Sequence, residues 1–465
     1  STLTQTACFI IRRKNTVCIL STDDRRHTLI IKAHRLDRQR SCPCLRKYRI
    51  AVSPGCHAKS YHLIPKHCLI KINFPEIILK SSREKALLRG HPWVFSGAVA
   101  KIRGNPSDGE IVLARDTGGQ ALALGFFNSR TDISFRVVSR DTGSPVDESF
   151  WNRRVLDALE LRRQIIREGT NCYRLINAEG DGFPGLIVDV YNDTLVLSVT
   201  TAGMERQKQT ILDALLFHLK PARIYEQSAG RSRGLEGLQE RRGFLHGSDQ
   251  EGAARVTENG HRFDVDFISG QKTGFFLDQR VNRETIGALS RGRMVLNCFS
   301  YTGAFSVYAA AGKAKKVVSL DISKSACDAA AEHLRINGCK PEDHPVIEAD
   351  VFDYLRNLRE CFDLIVLDPP AFAKIKRDVA KASRGYKDIN LQAIRHLAPG
   401  GLLATFSCSN FMEEDLFGKI VQGAARDAQA DLQLLARLEA GPDHPLAAGH
   451  PEGRYLKGLL LRKPA

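Results

Sequence analysis

The run Met294-Val295-Leu296-Asn297-Cys298-Phe299-Ser300-Tyr301-Thr302-Gly303-Ala304-Phe305 decides the reading of the fold. An apolar strand passes into a short loop around one glycine and then into a helix. A second strand, Val317-Val318-Ser319-Leu320-Asp321, ends on an acid, and Val346-Ile347-Glu348-Ala349 runs into Asp350. Two further apolar runs, Phe362 to Leu367 and Leu402 to Phe406, lead into Asp368-Pro369-Pro370-Ala371-Phe372 and Ser407-Cys408-Ser409-Asn410. From about residue 256 onward helices and apolar strands alternate, the pattern of a doubly wound parallel sheet. Such sheets bind ligands in the crevice at the carboxyl ends of their strands. The residues that follow these strands are therefore the candidate site.

The upstream half of that site has the chemistry of a nucleoside-containing cofactor. Gly303 permits close backbone approach to a ligand, and Asp321 is placed to accept hydrogen bonds from ribose hydroxyls. Asp350 is a candidate for an adenine amino group. The Gly-x-Gly-x-x-Gly of dinucleotide sites is missing, which favours S-adenosylmethionine (SAM), a ligand without pyrophosphate, over NAD or FAD. Helix capping is the competing role for Asp321 and Asp350.

The downstream half offers an acid and a thiol. A pyrimidine is a poor nucleophile at carbon 5 until a thiolate adds at carbon 6 and makes it enamine-like. That route needs an activated cysteine and a group that stabilises charge at ring nitrogen 3. Cys408 is the candidate thiol and Asp368 its candidate partner. Pro369 and Pro370 stiffen the loop, and Phe372 can stack on an extruded base. The competing reading of Cys408 is a small buried hydrophobe, the role we assign to Cys298.

At 465 residues the chain should hold two or three domains. Residues 76–145 carry short apolar stretches between Gly and Asp turns, which predicts a small β-barrel. Residues 146–255 read as an α+β module, and 256–465 as the Rossmann-like domain. Residues 1–75 hold 15 Lys+Arg against 3 Asp+Glu, +12 of the net +16, so basicity is mostly a property of this extension. It also holds six of the twelve cysteines, Cys8, Cys18, Cys42, Cys44, Cys56 and Cys68, at spacings unlike a zinc knuckle. We expect no metal site. We expect the extension to be disordered, or an over-extended gene start with the true beginning near Leu69 to Ile78. No apolar run reaches membrane-helix length. A soluble, cytoplasmic protein is expected.

The motifs together resemble the RlmI-like family of 23S rRNA cytosine-carbon-5 methyltransferases. The resemblance rests on His91-Pro92-Trp93-Val94-Phe95-Ser96-Gly97, Gln271-Lys272-Thr273-Gly274-Phe275-Phe276-Leu277-Asp278-Gln279-Arg280, Asn297 to Ser306, Leu367 to Phe372, Arg384-Gly385-Tyr386-Lys387-Asp388-Ile389-Asn390 and Ser407-Cys408-Ser409. It covers most of 76–465. It implies an N-terminal PUA domain, a central module and a Rossmann-like SAM-dependent domain. It also implies cofactor contacts by Thr273, Gly274, Phe275, Asp278 and Arg280, and by Asn297, Tyr301, Thr302, Gly303, Asp321, Asp350 and Asp368. Substrate contacts are expected from Pro369, Pro370, Phe372 and Lys387, and catalysis from Cys408 with Asp368. The implied partner is 23S rRNA or its large-subunit precursor, with a homodimer as the oligomeric option and no membrane. Arg83, Lys85, Arg89 and His91 are RNA contacts or a solvated basic face. Relatives of this architecture also methylate guanine, so the identity of the base rests on Cys408. An RNA-binding protein with a vestigial catalytic domain is the reading from another class.

Overall fold

Period-two and continuous apolar runs become five separate sheets among the described residues of the computed structural model. It describes residues 74–248, 252–373 and 375–465, together with the backbone of three N-terminal strands. Those strands, Cys8–Arg13, Thr16–Asp23 and Thr28–Arg35, pair as an antiparallel meander within a unit of their own, 1–73. The expectation for 1–75 falls largely outside the described residues, as do Cys42, Cys44, Cys56 and Cys68. Residues 74–465 form a second unit.

Within that unit, six strands between Glu76 and Ser139 make one sheet. Its two edge strands, Trp93–Phe95 and Val99–Arg103, are joined by a single 3-10 turn, Ser96–Ala98. Edges that close in sequence must lie close in space, so the sheet curls on itself around Ile77, Val112 and Phe135. A five-stranded sheet follows, Cys172–Asn177 to Arg241–His246, covered by the helices Glu148–Ile165 and Ala202–Leu219 around the fully buried Trp151. The edge strand Arg241–His246, mostly exposed, has no apolar signature and was not expected.

The His-Pro-Trp motif is a latch between these layers. The Trp93 Nε1 donates to Glu179 at 2.8 Å, and Arg136 lies 5.2 Å from its ring centroid. His91 pairs with Glu452 near the C-terminus, its side chain 16% exposed, so it belongs to the latch and not to a free basic face. Arg83, Lys85 and Arg89 do stay exposed.

A hairpin, Ala254–Glu258 with His261–Val265, then leads into a seven-stranded sheet. Its strands are β1 (Met294–Cys298), β2 (Lys316–Asp321), β3 (Val346–Glu348), β4 (Phe362–Leu367), β5 (Leu397–Ser407), β6 (Gln433–Leu438) and β7 (Lys457–Arg462). Their order is β3-β2-β1-β4-β5-β7-β6, with only β7 antiparallel to its neighbours. The chain winds outward from β1 in one direction and restarts at β4 in the other. The switch point therefore lies between β1 and β4, where a crevice must open. Cys298 stands level with Leu367, and Leu367 with Thr405, so the segments after β1, β4 and β5 emerge side by side.

One ion pair anchors the hairpin beneath this crevice. Arg283 and Glu258 are 1% and 0% exposed and bond through both guanidinium arms at 2.8 and 2.6 Å. Removing one partner leaves the other charge buried alone. Arg283→Met should therefore lower unfolding free energy by about 3–5 kcal/mol. Urea titration of the variant checks this.

Candidate active site

The loop after β1 curls back because the Asp321 carboxylate draws it in. Asp321 Oδ2 accepts from the backbone N–H of Tyr301 at 2.8 Å, and Oδ1 from Ser323 N at 2.9 Å. The price is backbone strain: Phe299 and Tyr301 have φ of 59° and 46°, and Lys272, facing them, has 53°. Non-glycine residues in this region are uncommon, and their clustering marks a functional site. All three line a cavity of about 310 Å³ at the switch point.

Into this cavity the structure brings Phe275, Asp278, Tyr301, Thr302, Asp321, Asp350, Asp368, Pro369, Pro370, Phe372 and Cys408. Asp350 is exposed and uses one oxygen to cap the helix Val351–Asn357, accepting from Asp353 N at 3.1 Å. Capping and cavity-lining thus coexist there. Phe372 packs 4.6 Å from the Tyr386 ring and within 6.5 Å of Phe299 and Phe352.

Six expected residues lie elsewhere. Thr273 donates to Asp189 at 2.6 Å, and Arg280 pairs with Asp443 at 2.8 Å, so both seat the loop on neighbouring elements. Gly274, at φ 116°, is needed because a Cβ would stand 2.7 Å from the Asp266 carbonyl. Gly303 likewise would bring a Cβ to 2.7 Å from Ala330, so helix packing also calls for glycine there, and its neighbours Thr302 and Ala304 line the cavity. Asn297 is buried and donates to Ser306 Oγ at 2.8 Å. Lys387 pairs with Asp427 at 2.6 Å and does not line the cavity. Its neighbour Tyr386 instead reaches the turn that carries Cys408, bonding Ser407 at 3.0 Å and Ser409 at 3.1 Å.

The motif-level reading also passed over Lys272 and Gln279. Lys272 Nζ lies 3.0 Å from Asp278 Oδ2 and 4.4 Å from the Phe276 ring centroid. Burial pushes the Asp278 carboxyl up, but Lys272, His444 and the Tyr455 hydroxyl together hold it well below the usual carboxylate range. Asp368 goes the other way. Burial first, then the neighbouring Asp278 charge, raise it to about 7, against the pull of Lys272 and a hydrogen bond with Gln279. Burial and Asp368 push the Cys408 thiol up to about 11. Two acids in one cavity, one ionised and one holding its proton, are an arrangement suited to separate roles.

The cavity fits SAM on its own terms. Asp278 Oδ1 and Ser300 Oγ are buried there without hydrogen-bond partners. A buried anionic acceptor lacking a donor is what a ligand ammonium group satisfies. Asp321 faces the same space with Ile322, 69% exposed, and Phe352, apolar surface for an adenine ring. Asp321→Ala should weaken SAM binding roughly 10- to 100-fold, the value of a charge-assisted hydrogen bond plus loss of the loop's anchor. Isothermal titration reads it directly. Among the described residues no group of three or more His, Cys, Asp or Glu is arranged to hold a metal.

Comparison with known proteins agrees with this geometry. A family model for S-adenosylmethionine-dependent methyltransferases matches residues 186–462, and one for PUA-like domains matches 77–140. Ribosomal RNA large subunit methyltransferase I of Aeromonas salmonicida (strain A449) is 46% identical over 390 residues, covering 83% of this chain and 98% of that protein. The protein of the same name from Pseudoalteromonas translucida (strain TAC 125) is 43% identical over 390 residues, with the same coverage. Among solved structures, a Streptococcus mutans protein described as a SAM-dependent methyltransferase superposes with a TM-score of 0.72 at 24% identity. That match spans 83% of this chain and 99% of the other, and it supports the fold.

Proposed function

This chain belongs to the SAM-dependent methyltransferase family of the ribosomal RNA large subunit methyltransferases I, and from that premise we propose that it methylates carbon 5 of a cytosine in 23S rRNA through Cys408. The observation that carries the reading is the meeting of Cys408 and Asp368 in the cavity that fits SAM. Asp278, Asp321 and Asp350 would hold the cofactor's polar groups, and Ile322 with Phe352 its adenine. When bound there, SAM supplies an electrophilic methyl group.

The protein's own residues prepare the base to receive it. The Cys408 thiolate adds to carbon 6, forming a C–S bond and moving electron density toward nitrogen 3. Asp368 holds a proton near neutral pH and donates it as a hydrogen bond to the charge that develops there. Carbon 5 is then nucleophilic. After methylation, loss of its proton and cleavage of the C–S bond return the thiolate. Phe372 and the stiff Pro369-Pro370 pair offer the extruded base a stacking wall. The PUA-like domain supports binding of structured RNA.

Incubation with tritiated SAM and unmodified 23S rRNA, followed by digestion to nucleosides, tests the product. Label in 5-methylcytidine is the expected result. Label in a guanosine derivative would keep the fold and cofactor but reduce Cys408 to a packing residue. We extend the proposal to action in the cytoplasm, where rRNA is assembled. Among the described residues no helix is long and apolar enough to cross a membrane. A homodimer is part of the same proposal; the exposed Leu434 and Leu435 on edge strand β6 offer it a surface, and analytical ultracentrifugation reads it.

A further inference from the structure

Lys457 opens β7 with 5% of its surface exposed, and nothing in the reaction above uses it. Lysines are almost never buried to this extent without a charge partner. Among the described residues no ion pair reaches this one. Its hydrogen bond runs from Nζ to the backbone carbonyl of Ser409, at 2.7 Å.

The position of that bond is informative. In the antiparallel ladder between β5 and β7, Lys457 stands opposite Ser407. It therefore holds the residue before Cys408 through the sheet and the residue after it through its ammonium. The same turn is gripped from the β4 side. Ser409 Oγ accepts from Ala373 N at 3.2 Å, just beyond the Asp368-Pro369-Pro370 segment. Tyr386 bridges Ser407 and Ser409. These groups are buried, so the network fixes the turn as a unit.

We propose that Lys457 is a positioning residue for Cys408: it fixes the turn that carries the thiol and keeps a positive charge one peptide away, favouring the thiolate. Its consequence for turnover rests on Cys408 being the nucleophile; its effect on the thiol does not. The charges around Cys408 explain the need. Asp368 and Asp278 oppose its ionisation, and Lys272, which lines the same cavity, favours it. Lys457 adds a second cation from β7. Burial draws the Lys457 amine down to about 8, against the influence of Cys408, so the ammonium still prevails at neutral pH and is lost as pH rises past that value. The proton that leaves the thiol goes to solvent, and Lys457 keeps its own.

The test is the pH dependence of Cys408 alkylation by iodoacetamide in the full chain, read by mass spectrometry on the Cys408 peptide. SAM affinity is measured in parallel as a check on folding. Lys457→Gln keeps a donor for the Ser409 carbonyl but removes the charge; Lys457→Met removes both; Lys457→Arg keeps the charge. We expect the Gln and Met variants to alkylate about tenfold more slowly near neutral pH, a shift of roughly one pKa unit. The Arg variant should stay within a few-fold of wild type, and SAM affinity should be unchanged throughout. A Gln profile that superimposes on wild type overturns the proposal, and Gln decides it if Met does not fold. Methylation by Cys408→Ala separates the two readings. If that variant stays active while the Gln variant alkylates slowly, the nucleophile is wrong and the role of Lys457 stands.

Discussion

Cys408→Ala should abolish methyl transfer, by roughly three orders of magnitude or more, while SAM affinity changes no more than a few-fold. The separation follows from the layout of the cavity. Cys408 follows β5, whereas Asp321 ends β2 and the unpartnered Asp278 oxygen comes from the turn Leu277–Gln279, outside the sheet. The thiol contributes nothing that SAM needs to bind. It contributes everything to making carbon 5 nucleophilic. With the thiol at about 11 in the free protein, the thiolate is a small minority at neutral pH. Ionisation must therefore accompany substrate binding, and wild-type kcat/KM should rise with pH on its acid limb. Single-turnover methylation with labelled SAM measures the loss, and isothermal titration measures the retained affinity. Activity near wild type would remove the covalent route.

Asp368→Asn should move activity and stability in opposite directions. The rate should fall roughly 10²- to 10³-fold, because the amide is a weaker donor to charge at nitrogen 3 and cannot exchange a proton. Stability should rise at alkaline pH. The folded pKa of Asp368, about 7, lies above its ordinary value of 3.8. The folded state thus keeps a proton that the unfolded chain has lost, and stability falls as pH rises through that window. Above it, the native protein carries the full cost of a carboxylate next to Asp278. Asparagine never incurs that cost. Solvent still reaches the group, so we expect a gain of about 2 kcal/mol near pH 8, below what the whole shift would give. The gain should shrink toward pH 5. Denaturant melts of both proteins at the two pH values check the sign. Equal stability at both would mean that the acid is not perturbed in the folded state.

The sheet was legible because its central strands, β1, β2, β4 and the end of β5, are buried on both faces and read as apolar runs. Phe362–Leu367 was delimited as it occurs, and Asp321, Asp368 and Cys408 follow from where such strands end. The loop between Gln271 and Arg280 was not resolved in the same way. It has no period, so nothing in its order separates Lys272, Phe275 and Asp278, which face the cavity, from Thr273 and Arg280, which face away. Lys387 is a different case. Ala382, Tyr386, Ile389, Asn390 and Ala393 are buried at helical spacing, a pattern that turns position 387 off the buried stripe and 386 into it. Lys457 and Tyr386 meet Ser409 through pairings remote in sequence. No local pattern announces them.

The most direct measurement is covalent capture on 23S rRNA substituted with 5-fluorocytidine. Fluorine at carbon 5 cannot leave as a proton does, so a methylated adduct cannot eliminate its thiolate. In the presence of SAM the protein should form a denaturation-resistant complex with the RNA, and the modified peptide should contain Cys408. The complex should be absent with Cys408→Ala. No adduct with the wild-type protein, alongside methyl label recovered in guanosine from unsubstituted rRNA, would contradict both the target atom and the nucleophile.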